Sequence, residues 1–255
     1  MTTIIDIYKY IDSFAPFKFA EKWDNCGILI GNHKREVKKA LVCLDVTKNA
    51  INQAVYIGAD LIISHHPVIF EPLKSIDSDS SVYNLIKNNI AVICTHTNLD
   101  ASQYGSDAMA SKLLNIDKSD FIVKIDDGFG IGRVGVLSEI KTGNDFAGFV
   151  KSAFGTRFVR YLNGDRDIKT FAFCCGGGAS YIEAAVKSGA DAFITSDIKH
   201  SYWIEAKMLG ITLVEVSHYD MEKTCIKPLC DKLQKGFPYI EFVPFIDNND
   251  FTNIL

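Results

Sequence analysis

The feature that most constrains the fold is a pattern of strands and helices that occurs twice along the chain. In each copy, short apolar runs alternate with amphipathic segments, which is typical of parallel strands joined by crossover helices. The second strand of each copy follows a Gly-Ala-Asp triplet, at 58–60 and at 189–191. The triplets are 131 positions apart, and the first strands, which start at Leu41 and Phe171, are 130 positions apart. We therefore predict an α/β protein with two similar β-α-β-α-β-based halves.

The predicted elements occupy corresponding places in the two copies. The first copy has strands at 40–46, 61–63 and 91–95, with helices at 48–57 and 81–88. The second has strands at 170–175, 192–195 and 212–216, with helices at 180–188 and 201–209. A polar stretch from Asn115 to Asp127 lies between the copies. We divide the chain into domains 1–123 and 124–255, and we expect the C-terminal segment to pack back on the first half.

A glycine-rich stretch near the middle of the chain invites a nucleotide-binding interpretation. Gly130, Gly132 and Gly135 match the spacing of a dinucleotide-binding turn, but no strand followed by a helix surrounds them. The Gly-Lys-Ser/Thr end of a P-loop is also missing there. We predict a strand or hairpin at 128–137 rather than a cofactor-binding loop.

Charge and hydropathy exclude several classes of partner. With 27 basic and 31 acidic residues the net charge is -4, whereas nucleic-acid binding usually requires a basic surface. The first ten residues lack the basic start and apolar run of a signal peptide, and no run approaches the roughly 18 apolar residues of a membrane span. We expect a cytoplasmic protein that contacts neither nucleic acid nor membrane.

Histidines and carboxylates follow the predicted strands of both copies. Ligands of open α/β sheets bind outside the carboxyl ends of the strands. The duplication places five such side chains at these edges: His65, His66, His96, Asp197 and His218. If the two edges face each other, they form one shared cleft.

The adjacent histidines His65 and His66 are the sharpest local signal. In a regular strand they would face opposite sides, but Pro67 cannot donate a ladder hydrogen bond, so the ladder should end near His66. Two imidazoles can then converge on one site. Taken alone, the pair slightly favours one core histidine and one exposed histidine.

Two further motifs favour metal binding. Asp100 lies in a loop just past the third strand, and His218 and Glu222 share a helix face if a helix begins near Ser217, a natural N-cap. Imidazole and carboxylate ligands suit zinc, iron, manganese or nickel. Together with His65 and His66 these residues are too many for one open catalytic ion, and they suit two ions that share a bridging carboxylate.

The chain resembles the GTP cyclohydrolase I type 2 family, whose members are also called NIF-three-like proteins. The matching segments occur in the family's order and span nearly the whole chain. They are 23–27 (WDNCG), 63–67 (ISHHP), 96–100 (HTNLD), 176–180 (GGGAS), 190–195 (ADAFIT) and 217–219 (SHY) followed by Glu222. The sequence departs from the family at 195–197, which reads Thr-Ser-Asp where a Thr-Gly-Glu-like segment is expected.

The resemblance implies a NIF-three-like fold with a dinuclear metal centre in the cleft between the halves. His66 and Asp100 would hold one ion, His65 and His218 the other, and Glu222 would bridge them. It also implies a toroidal homohexamer without the extra domain that some members insert in mid-chain.

These features predict a metal-dependent hydrolase of the GTP cyclohydrolase type, acting on a small molecule such as a nucleotide. His96 or Asp24 would move a proton in that reaction, while Trp23 is expected to pack. Two alternatives stay open: a phosphoesterase or nucleotide hydrolase of other specificity, and a non-catalytic metal-binding regulatory or assembly factor. The two divalent ions would be zinc, iron or manganese.

Overall fold

The computed structural model describes residues 1–116 and 119–247. Asp117 and Lys118 of the polar stretch, and residues 248–255 of the predicted second domain, lie outside the described residues. Two compact units form: one from residues 1–104 with 225–247, the other from residues 105–116 with 119–224.

The first unit contains five helices and five strands among its described residues. They are α1 Ile4–Phe14, β1 Gly27–Ile30, β2 Lys39–Cys43, α2 Lys48–Ile57, β3 Leu61–Ser64, α3 Ser81–Lys87, β4 Ala91–Cys94, α4 Thr97–Asp100, α10 Ile226–Gly236 and β12 Glu241–Phe245.

The second unit consists of the elements between α4 and α10. They are α5 Ser106–Leu113, β5 Val123–Asp126, β6 Phe129–Ile131, β7 Arg133–Lys141, α6 Gly143–Phe154, β8 Arg160–Leu162, β9 Ile168–Phe173, α7 Ile182–Lys187, β10 Ala192–Thr195, α8 His200–Leu209, β11 Thr212–Glu215 and α9 His218–Glu222.

The observed boundary after Tyr104 lies upstream of the one expected at 123. The reason is packing, because α5 contacts β7, α6 and α9 and so belongs with the second sheet. At the other end, α10 contacts β2 and β12, and β12 pairs in parallel with β2. The described C-terminal segment thus completes the first unit.

Each unit is built on a five-stranded sheet whose three central strands are parallel and correspond between the units. The first sheet has the order β1-β4-β3-β2-β12, and the second has the order β7-β9-β10-β11-β8. In both, a short antiparallel strand, β1 or β8, borders the third strand of the copy. The opposite borders differ, since β12 is parallel to β2 but β7 is antiparallel to β9. The predicted duplication of a β-α-β-α-β unit is confirmed.

The aspartates of the two Gly-Ala-Asp triplets explain why this segment recurs. Asp60 Oδ2 accepts hydrogen bonds from the backbone N–H of Lys38 at 2.9 Å and of Lys39 at 3.3 Å, at the start of β2. Asp191 Oδ2 accepts in the same way from Lys169 and Thr170, both at 3.0 Å, on β9. A carboxylate at this turn therefore fastens the first strand of each copy to the second.

The core follows the two periodicities of the sequence. In β9, Phe171 and Phe173 point into one apolar cluster, while Ala172 between them points into another, so both faces of the second sheet are covered. On α1, Ile4, Ile7 and Ile11 are fully buried at helical spacing. Among the described residues, every helix is too short or too polar to span a lipid bilayer.

The glycine-rich stretch forms strands. β5 and β6 pair as an antiparallel hairpin, and β7 follows directly as a border strand of the second sheet. No helix begins within 128–137, so the predicted hairpin is confirmed.

Candidate metal site

The paired histidines of the first unit follow β3 at the edge where parallel strands end. Backbone pairing continues past Ser64, since His65 N–H donates to Cys43 O at 3.0 Å and His66 N–H donates to Leu44 O at 2.9 Å. His65 is fully buried and His66 is half-buried. Their ring centroids are nevertheless only 5.1 Å apart, so the two imidazoles converge as predicted.

A third imidazole joins them. His96 precedes α4 as its N-cap residue, and its ring centroid lies 5.1 Å from that of His65 and 5.3 Å from that of His66. One potential ligand atom from each of the three residues lies within 4.8 Å of the others. The first unit thus gathers three imidazoles in one place.

Each of these imidazoles is oriented through its Nδ1 atom. All three Nδ1 atoms lie within hydrogen-bond distance of an oxygen: His65 with Thr95 O at 3.1 Å, His66 with Asp45 Oδ1 at 2.7 Å and His96 with Asp24 Oδ1 at 2.9 Å. Metal-binding histidines characteristically donate one ring N–H to such an acceptor, which sets the tautomer and directs the other nitrogen to the ion. The Nε2 atoms are therefore the candidate ligand atoms.

Asp24 is a fully buried carboxylate with several donors. Besides His96, its oxygens accept from the Thr97 backbone N–H at 3.1 Å and from Cys26 Sγ at 3.0 Å. Burial would raise the pKa of Asp24, but the hydrogen bond and charge of His96, aided by Cys26 and Thr97, hold it well below its usual value. Asp24 is thus an ionised group that fixes His96.

Asp100 lies at the end of α4 beside the first of the paired histidines. Its Oδ2 is 3.5 Å from His65 Nε2, and its side chain is one-quarter exposed. Because α4 starts directly after β4, the helix brings this carboxylate back to the strand-end edge. Asp100 therefore belongs to the same donor set as His65, which also includes His66 and His96.

The second unit has its own donor set after β11. Helix α9 begins at His218 with Ser217 as N-cap, whose hydroxyl accepts from Asp220 N–H at 3.3 Å, as predicted. One helical turn then places His218 Nε2 2.8 Å from Glu222 Oε2. Glu222 is 2% exposed, so this carboxylate is held in place.

Asp197 orients His218. Its Oδ2 lies 2.6 Å from His218 Nδ1, and its backbone has a left-handed φ of +51°. Burial alone would lower the pKa of His218, but the hydrogen bonds to Asp197 and Glu222 raise it to about 11. Despite the departure from the family pattern at 195–197, Asp197 supports the imidazole as the other carboxylates do.

The turn after β9 leaves room beside these groups. Gly176 has a φ of +70°, and a Cβ at this position would lie 2.4 Å from Glu222 Oε1 and 3.5 Å from His218 Nε2. Gly178 N–H donates to Thr195 Oγ1 at 2.9 Å, which secures the turn. The tight glycine turn at 176–178 keeps space open next to the two donors.

The donor chemistry of both units fits divalent metal ions. All four imidazoles have Nδ1 beside an oxygen acceptor, and Asp100 and Glu222 supply carboxylates next to Nε2 atoms. This is the ligand mixture of zinc, iron and manganese sites. Asp45 was missed by the sequence argument, although its position two residues after β2 placed it at the same edge.

Trp23 does not pack in the core, so that expectation was wrong. Its side chain is 58% exposed, with ring centroids 5.9 Å from Phe70 and 6.0 Å from His96. Asn25, two residues on, donates from Nδ2 to Ile69 O at 2.6 Å. Trp23 and Phe70 are therefore two exposed aromatic side chains beside the first donor set.

The fold and these residues define a class: a duplicated α/β protein with histidine–carboxylate donor sets at its strand ends. Comparison with known sequences gives the family. The profile of the Duf34/NIF3 (NGG1p interacting factor 3) family matches residues 2–250, and the chain belongs to this family.

Individual relatives agree over nearly their whole length. The chain is 31% identical over 247 residues to a GTP cyclohydrolase 1 type 2 homolog of Clostridium perfringens, covering 93% of this chain and 94% of the relative. Its structure is similar to that of a Staphylococcus aureus hypothetical protein, with a TM-score of 0.91, 29% identity and 99% of both chains covered. A Bacillus cereus protein related to NIF3 shares the fold, with a TM-score of 0.91 at 21% identity and 99% coverage of both chains.

Proposed function

We propose that the protein binds two divalent metal ions and acts as a metal-dependent hydrolase of the GTP cyclohydrolase type. One observation carries the proposal: four histidines at strand ends are each oriented through Nδ1 by an oxygen acceptor. Metal-binding histidines are characteristically supported in this way, whereas an isolated surface histidine gains little from such support.

The ligand assignment follows the family resemblance. By that resemblance, His66 and Asp100 would hold one ion, His65 and His218 would hold the other, and Glu222 would be shared between them. The positions of His65 and Glu222 support it, because both are almost completely buried and adjoin a second proposed ligand, Asp100 at 3.5 Å and His218 at 2.8 Å. Zinc, iron and manganese all accept these ligands.

Two such ions supply Lewis acidity that makes water nucleophilic near neutral pH. The chain contributes orientation and proton transfer. His96 is the proposed proton carrier, since its ring adjoins His65 and His66 and is 14% exposed, within reach of a bound substrate. Asp24, completely buried and hydrogen-bonded to Nδ1, fixes the ring.

The proposed substrate is GTP, and the reaction is hydrolytic opening of its imidazole ring. The name of the Clostridium perfringens relative points to this chemistry. Purified protein should be stripped with a chelator, reloaded with zinc, iron or manganese, and assayed with GTP and with an activated phosphodiester. Turnover of GTP that is lost in His65→Ala and Glu222→Ala supports the proposal.

Other outcomes point to other functions. Turnover of the phosphodiester alone would identify a phosphoesterase. Two tightly bound ions per chain without turnover of any compound would identify a metal-binding regulatory or assembly factor. Less than one equivalent of metal in protein isolated without chelator would contradict the dinuclear site.

Assembly and location complete the proposal. The resemblance supports a toroidal homohexamer, which light scattering coupled to size-exclusion chromatography tests through a mass six times that of the 28.3 kDa chain. We also propose a cytoplasmic location, which cell fractionation tests.

A further inference from the structure

Two large aromatic side chains next to the first donor set are exposed. Trp23 is 58% and Phe70 is 49% exposed, and their ring centroids are 5.9 Å apart with an interplanar angle of 42°. We call this pair the aromatic shelf. Each ring exposes apolar surface to solvent. Because burying such surface is strongly favourable, a ligand that covers the rings gains free energy.

The shelf is held in place from both sides. Behind Trp23, the carboxylate of Asp24 is completely buried and accepts from His96 and Thr97. Before Phe70, Ile69 O accepts from Asn25 Nδ2 at 2.6 Å, which ties the loop that carries Phe70 to the segment that carries Trp23. The two rings are therefore positioned together by polar contacts of their neighbours.

The shelf also borders the proposed proton carrier. The Trp23 and His96 rings are nearly perpendicular, at 73°, with centroids 6.0 Å apart. His96 in turn adjoins His65 and His66. A flat molecule seated on the indole face thus lies next to the imidazoles of the first unit.

We infer that the aromatic shelf of Trp23 and Phe70 binds a planar heteroaromatic ring of the substrate by stacking and presents it to the neighbouring imidazoles. Aromatic faces bind conjugated rings with little regard to their substituents, so the shelf selects a class, nucleobases and related heterocycles, rather than one compound. The inference rests on the proposed function, because it makes the stacked ring part of the hydrolysed molecule.

The test compares two ligands that differ only by a heteroaromatic base. Guanosine 5′-monophosphate and ribose 5-phosphate share the sugar and the phosphate, and calorimetry measures the dissociation constant of each. Trp23→Ala should weaken binding of the nucleotide about tenfold, and Phe70→Ala somewhat less, while ribose 5-phosphate binding stays the same. Trp23→Phe, which keeps an aromatic face, should recover most of the lost affinity.

The matched control is Tyr239→Ala, which removes a fully exposed aromatic ring of the same unit outside the shelf. It should leave both dissociation constants unchanged. Equal affinity of the parent and Trp23→Ala proteins for the nucleotide, or an equal loss for ribose 5-phosphate, would overturn the inference. So would a change of assembly mass in Trp23→Ala without a change in nucleotide affinity, because a second copy of the chain would then cover the shelf.

Metal content and turnover separate this inference from the proposed function. If the base-dependent effect of Trp23→Ala is present but no hydrolysis occurs with any metal, the shelf is supported and the hydrolase proposal fails. If hydrolysis occurs with the same KM in the parent and Trp23→Ala proteins, the hydrolase stands and the shelf is overturned.

Discussion

The two units use the same strand ends to present different chemistry. The strands β3 and β10 correspond, because each follows a Gly-Ala-Asp triplet and lies in the middle of its sheet. After β3 come His65 and His66, whereas the same positions after β10 hold Ser196 and Asp197. The first unit thus gains two imidazoles where the second gains a carboxylate.

This exchange changes how the histidine that follows the third strand of each copy is supported. In the second unit, Asp197 lies 2.6 Å from His218 Nδ1, so neighbouring strand ends of one copy supply both partners. In the first unit, the position of Asp197 is taken by His66, and His96 is supported instead by Asp24, which precedes β1. Duplicated scaffolds therefore keep the backbone frame and redistribute ligands and supporting groups over it.

The histidines after the third strands also differ by one position. Thr95 N–H donates to Ser64 O and Val216 N–H donates to Thr195 O, so these residues correspond. His96 is then equivalent to the N-cap Ser217, and His218 lies one residue further, inside α9. His218 consequently reaches Glu222 in its own helix, while His96 turns to Asp24 and leaves Asp100 beside His65.

Removing a proposed ligand should have the largest effect and should separate the two donor sets. Glu222→Gln is expected to lose both ions, because the proposed centre shares Glu222 between them, whereas His66→Ala should lose one. The affinity of the lost ion should fall by more than about 100-fold, beyond the effect of removing a supporting group. Elemental analysis after dialysis measures the metal content per chain.

Matched controls for this comparison are His33→Ala and His200→Ala, one exposed histidine from each unit. Both should keep two equivalents of metal. Loss of the same single ion in Glu222→Gln and His66→Ala would contradict a bridging Glu222.

Removing the supporting carboxylates should have the next largest effect. Asp45→Asn and Asp197→Asn each keep the shape of the side chain but remove the charge next to a histidine Nδ1, so metal affinity should fall about 10- to 100-fold. The larger loss is expected for Asp45, which is 40% exposed against 65% for Asp197. Competition with a chromophoric chelator gives both affinities.

Asp127→Asn is the control, since Asp127 is almost fully exposed and pairs only locally with Lys124. Unchanged affinity in both variants would show that Nδ1 support has no part in metal binding.

The pH dependence of metal binding should distinguish the two units, through the proton that binding releases. Because the pKa of His218 is raised to about 11 in the metal-free protein, this imidazole is charged at neutral pH. The charged His218, paired with Asp197 and Glu222, stabilises the metal-free fold. This stabilisation is fully present below pH 6.5 and is lost as the pH rises through about 11. An ion bound at His218 must displace the proton, so its affinity should increase by about tenfold per pH unit from pH 6 to 8.

Calorimetric titrations in buffers of different ionisation enthalpy count the released protons. His218→Ala should abolish the release of this proton. If the affinity for the ion at His218 does not vary with pH, this would contradict a charged His218 in the metal-free state.

The smallest expected effect concerns the space beside Glu222. Gly176→Ala and Gly189→Ala both place a side chain at a positive φ, +70° and +85°, but only at 176 would the Cβ meet Glu222. The free energy of unfolding should fall by about 1 kcal/mol in Gly189→Ala from backbone strain, and by about 2 kcal/mol in Gly176→Ala. Only Gly176→Ala should also weaken metal binding, which urea unfolding with and without metal detects.

The sequence predicted the repeated frame well because its signals are local. Apolar runs and Gly-Ala-Asp triplets report on strands and turns that lie close together in the chain, and the observed bounds of β3, α2 and β10 differ from the predicted ones by at most one residue. Ser217 likewise predicted the start of α9.

Long-range pairings escaped the sequence argument. Asp45 supports His66 across 21 positions and Asp24 supports His96 across 72, and no local periodicity marks such partners. The exposure of Trp23 was also unforeseen, because tryptophan is highly buried on average. The boundary after Tyr104 depends on the packing of α5 against β7, α6 and α9. The inclusion of α10 and β12 in the first unit is revealed only by the pairing of β12 with β2.

That pairing has a consequence for the order in which the chain can mature on the ribosome. All strands of the second sheet come from one continuous stretch, 133–215, which can assemble as soon as it has emerged. The first sheet is interrupted, because β2 emerges early but waits for β12, some 200 residues later, to cover its open edge. Until β12 has emerged, the nascent first unit exposes an apolar strand edge, which is the kind of segment that chaperones shield.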